Sequence, residues 1–153
     1  MEYQVRDARI TDVGRISALM AMSDAALAGG VSSTGATDLL RQLVYLPNAA
    51  VLVADARRVI VGATVLALRP SVRAGGMVGT VDLLVVDPAY AAAGVSASLL
   101  GEVLRSARNK GCVAVEAVPP ADPAELQRWT ELGFTESGPR ILRDLAPVGA
   151  ARE

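Results

Sequence analysis

The chain has 153 residues, 52% of them hydrophobic but only 3% aromatic, and 15 basic against 16 acidic side chains leave a net charge of −1. That length suits one domain whose core needs neither disulfide nor metal, and a near-neutral chain without a Lys/Arg run is not built to follow a nucleic-acid backbone. The absence of histidine excludes imidazole bases, His-ligated zinc and Ser-His or Cys-His nucleophiles, and a lone cysteine, Cys112, excludes an internal disulfide.

Residues 3–10, YQVRDARI, alternate as a first strand, and Thr11-Asp12 supplies an N-cap for a helix with Val13, Ile16, Leu19 and Met20 on one face. That helix is expected to end before Gly29-Gly30. VSSTGAT, 31–37, reads as a small-polar loop whose Thr37 caps a second helix, DLLRQLVYL, stopped by Pro47-Asn48. Three strands follow. They are AAVLVAD at 49–55, VIVGATVLAL at 59–68 after a turn at Ala56-Arg57-Arg58, and TVDLLVV at 80–86 after the loop RPSVRAGGM. In the third, Val81, Leu83 and Val85 are expected on one face and Leu84 and Val86 on the other, as in the middle of a covered sheet.

From Gly94 an amphipathic helix repeats Val95, Leu99, Val103 and Ala107, with Arg105, Arg108 and Lys110 outside the stripe, where the helix dipole favours basic charge. A right-handed crossover then lays CVAVEAV, 112–118, parallel to 80–86. Asp122 caps a short helix with Pro123 at its first position, Gly133 ends it, and FTES with RILRDL closes the chain as a strand pair. One domain over 1–146 with a loose tail at 147–153 is expected, and the lack of a leader or an apolar run near 18 residues points to the cytoplasm and away from membranes. The acidic residues lack metal-ligand spacing, so no metal is expected. Gly75, Gly76 and Gly79 precede a strand instead of leading from one into a helix, which is the wrong order for a dinucleotide loop.

The stretch VVDPAYAAAGVSASLL, 85–100, carries the chemistry. A strand that turns tightly into a helix aims unpaired N–H groups and the positive end of the helix dipole at one spot, where an anion such as phosphate is held. Val86, Pro88 and Gly94 fit the pattern Val-x-Pro-x-x-(Arg/Gln)-Gly-x-Gly-x-(Gly/Ala), and in this the chain resembles the GNAT (general-control-type) N-acetyltransferase superfamily, whose acetyl-CoA loop it is. Three positions depart from it: Ala91 stands at the Arg/Gln, Ala92 at the first glycine and Ser96 at the last small residue. A lost Arg contact forfeits about 1.5–3 kcal/mol, roughly 10- to 150-fold in affinity, so binding is weakened but not removed. A late motif, Asn-x-x-Ala-x-x-x-Tyr-x-x-x-Gly-Phe, is met by Asp122, Glu125, Trp129 and Gly133-Phe134, with Glu125 at the Ala and Trp129 at the Tyr.

The resemblance implies an α/β domain with a mixed, mostly antiparallel sheet, one parallel pair (80–86 and 112–118) and helices on both faces. It implies acetyl-CoA, or another acyl-CoA, as donor, bound by Leu84, Val85, Val86, Ala92, Gly94, Val95, Ser96, Ala97, Asp122 and Trp129. An amine acceptor then attacks the thioester where the parallel pair parts, and the N–H of Val85 or Val86 polarises its carbonyl. Asp82 and Glu116 are the candidate bases, on the expectation that burial raises their pKa. Trp129 is a donor without an accessible ionisation and cannot protonate the departing thiolate, so solvent or another group must do so. Plainer readings stand beside these: Asp82 and Glu116 as exposed or ion-paired charges, Trp129 and Tyr45 as packing. Ser96 can offer its hydroxyl to phosphate, and the loops 28–37 and 69–79 are where the acceptor is chosen. Two functions remain: an N-acyltransferase, or a GNAT-fold interaction module without turnover; in either case a homodimer through 134–145 is compatible with so apolar a chain.

Overall fold

In a computed structural model the described residues are 2–22, 33–138 and Arg143. The apolar, β-branched runs form one sheet of five strands in chain order: β1 (Gln4–Asp7), β2 (Ala49–Ala56), β3 (Val59–Ser71), β4 (Gly76–Val86) and β5 (Cys112–Ala117). Neighbours from β1 to β4 are antiparallel, and β5 lies parallel to β4. The helices α1 (Val13–Met22) and α2 (Ser33–Leu43) cover one face, while α3 (Val95–Asn109) and α4 (Pro123–Glu131) cover the other. This is the mixed sheet with one parallel pair and two helical layers expected from the sequence.

Each face has its own core. Val13, Ile16, Leu19 and Leu40 pack on Val53, Ala63, Val65 and Val85, and on the other side Val95, Leu99 and Val103 pack on Leu52, Leu66 and Val81. The four-residue repeat of α3 is buried as its period requires. Gly62 lets α3 approach: a Cβ there would lie 2.9 Å from Val95 Cγ1, so any side chain would push the helix off the sheet at its N-terminal turn.

Several local expectations give way to tertiary contacts. Residues 33–37 form no loop: α2 starts at Ser33, and Thr37 bonds across to α1 through its hydroxyl, 2.7 Å from Ser17 Oγ. Thr11 is not the cap of α1; Arg9 opens a 3₁₀ turn over Ile10–Asp12, and the Asp12 carboxylate accepts the Arg9 N–H at 2.8 Å. The loop before β4 shrinks to 72–75, because Arg69, Pro70 and Ser71 pair with Val78, Met77 and Gly76, and Gly75 closes the turn at φ +76°. FTES is not a strand. Phe134 turns back on α4, its N–H donating to Trp129 O at 3.2 Å and its ring 5.1 Å from the indole. The end of the first helix beyond Met22, RILRDL apart from Arg143, half of the 134–145 interface and the tail at 147–153 lie outside the described residues.

The largest departure concerns β4. Val65 pairs with Leu83 but Leu66 pairs with Val81, which leaves Asp82 as an extra residue, a β-bulge. The bulge reverses the alternation, so Val81 lies on the α3 face with Leu84 and Val86, and only Leu83 and Val85 face α1.

Candidate active site

The bulge coincides with an opening in the sheet. β5 follows β4 only from Met77↔Cys112 to Val81↔Ala117, whereas β3 stays paired to β4 as far as Gly62↔Val86. Residues 82–86 therefore have a neighbour on one side only. Thr64, completely buried, donates its hydroxyl to Leu83 O at 2.8 Å, satisfying a carbonyl beside the bulge. Asp87 N donates to Val61 O at 2.8 Å, so alternation along the ladder turns Val85 toward β3 as well. Leu84 and Val86 then direct their N–H groups toward the side that β5 has left. Of the two donors expected from the sequence, Val86 faces the opening and Val85 belongs to the sheet.

At the end of β4 the chain enters a 3₁₀ turn over Pro88–Ala93 and then α3. Asp87 holds this turn twice: its Oδ1 accepts the Ala89 N–H at 3.0 Å, and its Oδ2 pairs with Arg15 of α1 at 3.0 Å. Arg15 also donates to Ile60 O at 2.9 Å. Tyr3 of β1 reaches the other side of the turn, its hydroxyl 2.7 Å from Ser98 Oγ and 3.5 Å from Ala93 O. Neither Tyr3 nor Arg15 carries a local signal for this role, since both act across long sequence separations.

Gly94 links turn to helix at φ +77°, a conformation glycine adopts without cost, and only Tyr3 Oη at 3.9 Å lies near its missing Cβ. Ser98 N bonds Gly94 O at 3.1 Å and starts the helical ladder, so the N–H groups of Val95, Ser96 and Ala97 precede it without intrahelical partners. Ala92 differs from these. It lies inside the 3₁₀ turn Pro88–Ala93, ahead of α3 and not among the N–H groups of its first turn. The backbone cradle is thus Gly94–Ala97, and Ala91 offers no charge beside it.

The Ser96 side chain points elsewhere than expected: it is buried and donates to Glu125 Oε1 on α4. Trp129 is buried in the α3 core, with its Nε1 donating to the same oxygen at 3.3 Å. Asp122 caps α4 as anticipated, accepting the Ala124 N–H, ahead of Pro123. The two candidate bases are not buried. Asp82 is exposed on the bulge and forms no ion pair among the described residues, while Glu116 pairs with Arg69 at 2.8 Å. Tyr45 is exposed, in the turn that follows α2.

A second well-partnered carboxylate, Asp12, stands where β1 leads into α1. Burial pushes Asp12 up, but the Arg6 guanidinium and the Arg9 backbone N–H outweigh it and hold the carboxyl below its ordinary range. Arg6 also bonds Asp55 at 3.1 Å, so this cluster anchors β1 to β2 and to the entry of α1.

A parallel pair that parts beside a helix N-terminus is the arrangement that the resemblance to the GNAT superfamily implies. Solved structures agree: an integron cassette protein from the mobile metagenome of Cole Harbour Salt Marsh superposes with TM-score 0.79 at 28% identity, over 94% of this chain and 91% of that one. A Trypanosoma brucei acetyltransferase gives TM-score 0.70 at 25% identity over 94% and 100%. AAC(6′)-Iy, solved with a CoA-S-monomethyl-acetylneamine bisubstrate analogue, gives 0.77 at 20% identity over 96% and 100%, a likeness of fold. The sequence model of the acetyltransferase (GNAT) family matches residues 19–134, and the chain belongs to that family. It is also 32% identical over 87 residues to the glucosamine 6-phosphate N-acetyltransferase of Trypanosoma brucei brucei, an alignment covering 56% of this chain and 58% of that protein's length. No helix among the described residues is long and apolar enough to cross a membrane, and no group of His, Cys, Asp or Glu among them has the makings of a metal site.

Proposed function

We propose that the protein is an N-acyltransferase that moves an acetyl group from acetyl-CoA to a primary amine by direct attack. The observation that carries this is the release of β4 from β5 after Val81, which leaves the Leu84 and Val86 N–H groups beside the cradle at Gly94–Ala97. The cradle takes the donor's diphosphate, and the pantetheine arm runs into the opening, where its amide pairs with free strand groups. The amine nitrogen attacks the thioester carbon, and the Val86 N–H stabilises the oxyanion. The C–S bond then breaks, the thiolate leaves, and solvent protonates it, because the Trp129 indole N–H is far too weak an acid to give up its proton.

Asp82 is the base we assign. It stands on the bulge at the mouth of the opening with its carboxylate unpaired among the described residues, whereas Glu116 is engaged by Arg69. The acceptor is a small amine, for which glucosamine 6-phosphate is the first compound to try, given the named substrate of the curated relative. Calorimetric titration with acetyl-CoA tests the donor half, and release of CoA thiol on adding the amine tests the transfer. Saturable acetyl-CoA binding and amine-dependent thiol release are expected. No heat at millimolar acetyl-CoA would sink the reading and favour an interaction module.

A further inference from the structure

Glu125 accepts from three donors: Ser96 Oγ on the first turn of α3, Trp129 Nε1 at 3.3 Å and Arg128 at 2.7 Å. Two of these donors are buried, and both use one oxygen, Oε1. Ser96 and Glu125 are 29 residues apart, and each stands where the motifs of the first subsection have a small residue without a polar group. A hydroxyl at one position and a carboxylate at the other, meeting across two helices, form a pair that neither position explains alone. Without Glu125, the buried Trp129 N–H and Ser96 hydroxyl lose the acceptor the fold provides.

We propose that Ser96, Glu125 and Trp129 form a clamp that fixes α4 against the first turn of α3 and thereby positions the donor groove. This rests on the acyl-CoA reading above. One wall of the groove is the cradle at Gly94–Ala97, and the other begins at the capped N-terminus of α4, at Asp122. Tying the two walls together before the donor arrives removes ordering that binding would otherwise require. Preorganisation of this kind supports affinity where Ala91 supplies no cation. Ser96 and Glu125 are positioning residues: they act on the donor through the walls they join.

Trp129 is the only tryptophan in the chain, so its emission reports the clamp directly. Acetyl-CoA affinity by calorimetry, the melting temperature and Trp129 emission are measured for the unaltered protein and for Ser96→Ala, Glu125→Ala, Glu125→Gln and the Ser96→Ala/Glu125→Ala double variant. Ser96→Ala and Glu125→Ala should each raise the Kd about tenfold and shift the emission, and the double variant should be no weaker than the weaker single one. Glu125→Gln keeps an oxygen that both donors can reach and should stay within about threefold of the unaltered protein. A melting temperature that falls while the Kd stays put, tighter binding in either Ala variant, or independent losses that add in the double variant each overturn the clamp. Should Glu125→Ala fail to fold, Ser96→Ala and Glu125→Gln decide by the same criteria. If the unaltered protein binds no acetyl-CoA, the functional reading falls and the clamp with it; if it binds and the variants match it, the clamp alone falls.

Discussion

The two halves of β4 are one strand with opposite surroundings. Residues 77–81 are paired with β3 on one side and β5 on the other, while 82–86 keep β3 alone. The first half is closed and serves packing; the second leaves backbone donors free, and it is there that the proposed reaction places the acyl donor. The two halves meet where β5 ends at Ala117, next to a single inserted residue, Asp82, which re-aims the side chains of the second half. On the proposed reading, a site assembled from backbone groups can withstand the departures at Ala91, Ala92 and Ser96, because amide N–H groups survive a change of side chain.

The contrast is broken most severely at the mouth of the second half. Gly94→Glu combines a left-handed φ of +77° with a carboxylate facing the cradle, and calorimetry should show acetyl-CoA affinity reduced more than a hundredfold. Unchanged affinity would place the donor elsewhere. Asp82→Asn should lower kcat about a hundredfold and leave acetyl-CoA affinity as it was, and Glu116→Gln should cost much less. Equal losses in the two variants would return Glu116 to consideration as the base.

The closed half should respond in the opposite sense. Gly79→Ala puts a Cβ 2.7 Å from Leu66 Cδ1, which is fully buried and has little room to yield, so thermal unfolding should report a loss of about 1–2 kcal/mol. Acetyl-CoA affinity of the folded variant should not change, and a parallel loss of binding would erase the distinction between the halves. Smallest is Asp12→Asn, far from the opening, at about 1 kcal/mol near neutral pH. Asp12 titrates below its ordinary value when folded, so its contribution is present above about pH 4 and fades as pH falls through the folded pKa. Denaturant melts should therefore show the variant and the unaltered protein converging in acid, and divergence there would contradict the Arg6 pairing.

Much of the framework was legible because it is local. The stripe Val95, Leu99, Val103 and Ala107 reports a helix face at any position in a fold, and Pro88, Gly94, Asp122 and Gly133 punctuate the chain through their own backbone preferences. The cradle was legible for the same reason, since Gly94 and a helix start are adjacent in sequence. Thr37 and the segment 69–71 misled because each is small, polar or proline-bearing and reads as a loop. A cross-helix bond to Ser17 and pairing along β4 override that preference.

The order of the helices and the five strands up to α4, the absence of imidazole chemistry and the place of the strand-to-helix turn at Gly94 were set by the sequence alone, through periodicity, composition and backbone preference. Tertiary structure decided that Asp82 is a bulge, that Val86 and not Val85 faces the opening, that Glu116 is held by Arg69 and that Ser96 answers to Glu125. Each of these depends on which distant segment lies alongside. A one-residue change in strand register reverses every side chain beyond it, and no local pattern records where that change falls.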